Sequence, residues 1–475
     1  MKKYLNFLIL VSIFIIGFYL RLDAYLINNS FFTDEVLLFA NIFSKNYLEL
    51  IQPLQYFQSA PWLFLILNKF VVNHVGINEL CLRFIPFLSS IISLFLFYKL
   101  TTLVFKNKFS QYIALFTFCI NYQLLFYTQA FKQYSSDVLI IVLFLYLALE
   151  YFKNIQNVKQ YTMLGIISLL GIITSFPMVI IIPTVYFTLF VTKKNVFKLL
   201  YSALYPTTGL ILYYLFNLRF VNNSAYLHNY WEKGFQIFSP NFYKMNFDFL
   251  FSYYSFPILL LFLLVIGFYF LYRNNKVLFS IFSLTILNTL LLAYLKIYPC
   301  ERRLILFLLP ILLIVMIYPL DNLKKNAISF ITIIISSIFL ICGYYNFSKN
   351  YFSGNVSYLR QDVKPLLQII INKDIKEKVY VYYGAISTYS YYSLIKNLPK
   401  DIFFAKYPND EKYSELFLQQ DLENLPKGVY YLFFVKGTGT YEKDIKYIES
   451  YLKLKAEIVS EDTLKSAKLI KVKIK

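Results

Sequence analysis

The chain has 475 residues, 58% of them hydrophobic and 20% aromatic, and a net charge of +20. Repeated uncharged apolar runs near twenty residues long exclude an ordinary soluble domain and indicate a polytopic α-helical membrane protein. The excess Lys and Arg lie between those runs, where membrane topology places them, so the basic balance does not point to nucleic acid.

The first run, Tyr4 to Leu20, is not followed by a small-residue cleavage site and reads as a retained helix. In all, about 11 spans can be drawn: 4–20, 82–104, 110–127, 135–152, 161–175, 177–192, 197–217, 249–272, 277–295, 303–320 and 327–345. Their connections alternate in character. One set is short and basic, with 13 Lys/Arg in about 33 residues; the other is long and mixed, with 10 in about 107. The positive-inside rule puts the first set, and the amino terminus, in the cytoplasm. An odd span count then puts the carboxyl terminus outside. Four features are expected to share that outer face: the 21–81 loop, the 128–134 turn, the 218–248 loop and the 296–303 turn.

The 21–81 loop holds Asp34 and Glu35, two adjacent carboxylates among only 11 acidic residues in the first 345. Charge at a membrane face is expensive, which makes the pair a functional candidate. The competing reading is that Thr33 and Asp34 cap a surface helix. Further along, Pro61 to Val72 is apolar but too short to span and reads as an interfacial helix, with Val36 to Tyr47 as a second. Lys132 lies in a short outer turn, where it either snorkels to headgroups or binds an anion. Arg302 and Arg303 open the tenth span against both the positive-inside bias and the helix dipole, and a phosphate is their natural partner. Asp137 is expected to cap the fourth span and Glu301 to pair with a neighbouring arginine. Two histidines and four cysteines without paired spacing predict neither a metal site nor a disulfide framework.

After Tyr345 the composition changes, and residues 346–475 carry as many charges as everything before them. This tail reads as a small α/β domain, with a helix over 363–371 and strands over 378–383 and 428–435. The stretch 436–440 is a Gly-containing turn and lacks P-loop spacing. Two regions follow: a membrane module, 1–345, and an extracytoplasmic domain, 346–475.

Several stretches, in order, resemble the GT-C glycosyltransferases, specifically bacterial family 39-like enzymes related to protein O-mannosyltransferases and lipid A aminoarabinose transferases. They are Phe32-Thr-Asp-Glu-Val36, Gln58-Ser-Ala-Pro-Trp-Leu-Phe64 with Asn68-Lys69, Leu82-Arg-Phe-Ile-Pro86, Lys132-Gln-Tyr-Ser-Ser-Asp-Val138, Tyr298 to Phe307, and Tyr380 to Ala385. Trp62 stands where a second proline is usual. The resemblance implies a GT-C-type bundle and a sugar donor linked through phosphate to a polyprenol. It further implies a glycan, lipid or protein acceptor, used outside a bacterial cytoplasmic membrane. Such a leaving group needs no protein acid; it needs a carboxylate base for the acceptor hydroxyl and cations for the departing phosphate. On this reading Asp34 is the base and Glu35 positions an acceptor or a divalent cation. Lys132 and Arg303 bind phosphate with Arg302 in reserve, and Gln58, Tyr134 and Tyr298 are candidate substrate-binding residues. Membrane lipids are the other expected partners, and the sugar, hexosyl or pentosyl, is not specified. The alternatives are a polysaccharide ligase or polymerase, and a lipid-carrier flippase, which would favour charges along a path through several spans.

Overall fold

Nine of the eleven expected spans fall on helical segments; the eighth, 249–272, takes in residues 252–256, which with the eleventh, 327–345, lie outside the described residues. The computed structural model describes residues 2–152, 155–193, 195–222, 224–251, 257–321, 362–374, 376–406, 414–437, 440–464 and 466–474. The chain divides into two units: Met1–Ile27 with Lys45–Val75 and Leu80–Asn355, and Asn28–Ser44 with Gly76–Glu79 and Val356–Lys475.

Most helices of the first unit are long and apolar. They are α1 (Lys2–Leu26), α3 (Trp62–His74), α4 (Glu79–Val104), α5 (Lys108–Ile120), α6 (Tyr122–Thr128), α7 (Tyr134–Leu147), α8 (Val158–Thr174), α9 (Met178–Lys193) and α10 (Val196–Tyr213). Short α11 (Arg219–Asn222), α12 (Ala225–Tyr230) and α13 (Pro240–Phe251) lead to α14 (Pro257–Asn274), α15 (Lys276–Tyr294) and α16 (Leu309–Asp321). A 3₁₀ turn, Arg302–Leu308, runs directly into α16. Five helices among the described residues have the length and composition to cross a membrane. One of the five is Arg302–Asp321, in which 83% of the apolar stretch is buried, against 22% for α1. A helix apolar on every side belongs at the centre of a bundle, and those with exposed apolar faces at its rim. Small residues permit close packing inside it: a Cβ on Gly267 of α14 would stand 2.0 Å from the Val315 carbonyl oxygen of α16.

Asparagines start several of these helices. Asn107, Asn157, Asn195 and Asn275 each accept a backbone N–H at the N-terminus of α5, α8, α10 and α15 respectively. The carboxylate of Asp321, ending α16, accepts from the backbone N–H of Lys106 and of Asn107, 2.9 and 2.6 Å away. The basic α4–α5 turn and the end of α16 therefore meet at one end of the bundle. The expected third span is broken at Asn121 into α5 and α6. The carbonyls orphaned there are met by Arg21, wholly buried on α1 beyond the expected end of the first span. Its guanidinium donates to the carbonyls of Gly17 (3.1 Å), Cys119 (3.2 Å) and Phe118 (3.4 Å) and to Ser90 Oγ (2.9 Å).

The second unit combines α2 (Thr33–Ser44) with the tail: α17 (Lys364–Ile371), β1 (Lys378–Val381), α18 (Ile386–Ile395), β2 (Ile402–Phe404), α19 (Ser414–Glu423), β3 (Gly428–Val435), α20 (Tyr441–Lys455), β4 (Ala456–Leu464) and β5 (Ala467–Ile474). The strand order is β2-β1-β3-β5-β4. Strands β1, β2 and β3 run parallel, while β5 lies antiparallel to both β3 and β4. The first expected strand stops at Val381, where the chain turns through Tyr383–Ala385. Strand β4, with the carboxylates of Glu457, Glu461 and Asp462, closes the sheet as a largely exposed edge, a composition that discourages pairing with another chain.

Candidate active site

In the first unit, the turns expected to share an outer face do meet. The Lys132 ammonium donates to Gln58 Oε1 at 2.7 Å, joining the α6–α7 turn to the segment before α3. Two residues on, the Tyr134 ring faces the Arg303 guanidinium at 6.0 Å, and the Trp231 ring lies 5.3 Å from the same group. The backbone N–H of Cys300 donates to the Gly234 carbonyl at 2.9 Å. Asn246 of α13 then clamps the turn, donating to the Cys300 carbonyl (2.8 Å) and accepting from Arg302 N–H (3.0 Å). This clamp holds Arg302 at a φ of 44°, in the left-handed region that a long side chain rarely adopts. The outcome divides the two arginines: Arg302 is exposed, while Arg303 is half-buried beneath aromatic rings.

Tyr298 donates its hydroxyl to the Leu304 carbonyl at 2.7 Å, so it braces the turn. Burial pushes that hydroxyl well above its usual pKa, and the charge of Asp137 adds to the shift. Glu301 is buried, and its carboxyl is raised by that burial against the lowering effect of Arg302, Arg303 and Lys233. Its contact with Arg302 Nε is 3.9 Å, a weak version of the expected pairing. Asp137 is not the cap expected for the fourth span. Gln133 holds that position without a side-chain bond, and Asp137 lies a turn further in, buried. The indole N–H of Trp62, Gln133 Oε1 and Glu301 Oε2 are buried with no hydrogen-bond partner among the described residues.

Asp34 and Glu35 belong to the second unit, in the first turn of α2. The Phe32 carbonyl accepts the first helical bonds, from Glu35 N–H and Val36 N–H, so neither Thr33 nor Asp34 occupies the N-cap. Glu35 does the local capping: its Oε2 accepts from Phe32 N–H at 2.8 Å. Asp34 is half-buried, one position earlier, on a different face of the helix. Among the described residues no three His, Cys, Asp or Glu side chains converge as a metal cluster. Cys119 and Cys300 are buried and form no disulfide among the described residues.

Trp231 and Asn246 had no signal in the sequence beyond their place in an outer loop, because their roles depend on partners some 55 to 70 residues away.

The described residues define a multi-pass helical membrane protein with a small α/β sheet in its second unit. No protein-family model and no curated protein matches the chain. Among solved structures, ArnT from Cupriavidus metallidurans in the apo state is similar over 99% of this chain and 98% of that one, with a TM-score of 0.57 and 9% identity. The form of ArnT bound to undecaprenyl phosphate covers the same shares, with a TM-score of 0.55 and 11% identity. At that identity the likeness is one of fold, and it is the fold that the ordered motifs imply.

Proposed function

We propose that this chain is an integral-membrane glycosyltransferase that moves a sugar from a polyprenyl-phosphate-linked donor to an acceptor hydroxyl at the outer face of a bacterial cytoplasmic membrane. The observation that carries the reading is the meeting of two cationic turns, Lys132 and Arg303, at one end of an apolar bundle. The likeness to ArnT bound to undecaprenyl phosphate supports a donor of that class.

In this reading Asp34 takes the proton of the acceptor hydroxyl as its oxygen attacks the anomeric carbon. The bond from that carbon to the phosphate oxygen breaks on the opposite side, so the centre inverts. The polyprenyl phosphate departs with the electron pair, and its charge is met by the Arg303 fork and the Lys132 ammonium. Gln58 suits this role for Lys132, because a neutral amide orients the ammonium without cancelling its charge. The Trp231 and Tyr134 rings beside it likewise restrict where the Arg303 guanidinium can sit.

The test is release of undecaprenyl phosphate by the purified full chain, offered undecaprenyl-phosphate mannose, glucose, galactose and aminoarabinose in turn with lipid and peptide acceptors. Turnover with one donor, abolished in Asp34→Asn and weakened at limiting donor in Arg303→Ala, is the expected result. Turnover that neither substitution alters would sink the assignment.

A further inference from the structure

The first-loop segment carrying Asp34 is folded into the tail sheet at several points. In an open α/β sheet, ligands bind outside the carboxyl ends of parallel strands, where successive connections leave in opposite directions. In this sheet that point lies between β1 and β3. The two loops there touch backbone to backbone, since a Cβ on Gly437 would stand 2.3 Å from the Gly384 carbonyl oxygen. They are fixed from behind by Asp444, which is fully buried and accepts hydroxyl bonds from Tyr382 (2.6 Å), Tyr383 (2.5 Å), Thr440 (2.9 Å) and Ser414 (2.7 Å). At this edge stands the start of α2, with Thr33 Oγ1 3.5 Å from the Lys436 carbonyl.

A second set of bonds holds the approach to α2. Tyr392 of α18, fully buried, donates its hydroxyl to Glu79 Oε1 (2.9 Å) and accepts from Phe31 N–H (3.1 Å). Lys364 pairs with the same Glu79 oxygen at 2.8 Å and donates to the Asn28 carbonyl at 2.5 Å. Ser30 Oγ accepts from the N–H groups of Val363 (3.0 Å) and Lys364 (3.2 Å). Asn28 itself has a φ of 49°, so the segment enters through a backbone conformation that must be held in place. A Glu–Lys pair with its carboxylate buried and its ammonium half-buried is a poor source of stability, because desolvation offsets the attraction. Its better-supported use is to fix one geometry, and here the geometry fixed is that of residues 28–31, which lead into the turn carrying Asp34.

We infer that Tyr392 is a positioning residue for Asp34, acting through the Phe31 N–H, and that the tail sheet is thereby a working part of the catalytic apparatus. The inference rests on the reading of Asp34 as the base. A displacement of about 1 Å in a reacting group costs up to ~10²-fold, which sets the scale for losing the hydroxyl.

The experiment compares the full chain with Tyr392→Phe, Asp34→Asn and the double variant by hydrogen–deuterium exchange and by turnover of the donor the parent accepts. The expected result is faster exchange over residues 28–36 only, a melting temperature near the parent's, and a kcat lower by about 10- to 100-fold at unchanged donor KM. The double variant should be no slower than Asp34→Asn alone, because Tyr392 acts through that carboxylate. Unchanged exchange over 28–36, or a double variant slower by the full Tyr392→Phe factor, would overturn the inference. If Asp34→Asn turns over at the parent rate, the base reading fails, while the exchange result still reports on the anchor. Should Tyr392→Phe not fold, Ser30→Ala removes an acceptor from the same segment and carries the same test.

Discussion

Asp34 and Glu35 are adjacent and chemically alike, yet the first turn of α2 gives them different work. Glu35 reaches back to the Phe32 N–H, a bond that a Gln side chain can also accept. Glu35→Gln should therefore melt near the parent, while Glu35→Ala should lose about 1 kcal/mol in thermal unfolding. Asn keeps the size of Asp34 and a hydrogen-bonding oxygen while removing the proton acceptor, so Asp34→Asn should melt near the parent and lower turnover by ~10²–10⁴-fold. At the other candidate group, Arg303→Lys should recover only part of the donor use lost in Arg303→Ala, since an ammonium cannot supply the bidentate fork. Trp231→Leu should raise the donor KM with little change in kcat, because it removes the ring beside the guanidinium without removing the charge. Initial rates at limiting and saturating donor separate these cases. The carboxylate pair and the cations were legible as residue types out of place in apolar surroundings. Trp231 was not, since an aromatic ring in an aromatic-rich chain stands out only once Arg303 lies against it.

Arg21 shows what an element boundary can hide. Ending the first span at Leu20 treats the arginine as the edge of the membrane, whereas α1 continues to Leu26 and buries it. The guanidinium is matched to the gap between α5 and α6, a break that Asn121 makes by capping the second half with its own side chain. Arg21→Met would leave the carbonyls of Phe118 and Cys119 without this donor in a buried site. A loss of about 3 kcal/mol is expected, read as a lower melting temperature in detergent. Arg21→Lys should fall between the two, since an ammonium has fewer donors and no planar fork. An unchanged melting temperature for Arg21→Met would mean that α5 and α6 close the break without it.

For the whole molecule, loop charge predicts orientation: a reporter fused after Lys194 should face the cytoplasm and one after Lys349 the opposite side. A cytoplasmic signal from the second fusion would overturn the span count. Composition and apolar run length were enough to specify a multi-pass helical protein with an α/β tail, because those properties reside in local periodicity and in the cost of charge beside hydrocarbon. The same local signals located β3 and α17 to within a residue. They could not show that residues 28–44 fold with a sheet more than three hundred residues later, since the bonds from Tyr392, Lys364 and Val363 connect positions with no shared pattern. Nor could they decide which arginine of the pair is held under aromatic rings, because that depends on Asn246 setting the backbone at Arg302. Hydrophobic periodicity is a property of each segment alone, whereas a hydrogen bond between distant segments needs both ends in place, and only the tertiary structure supplies the second.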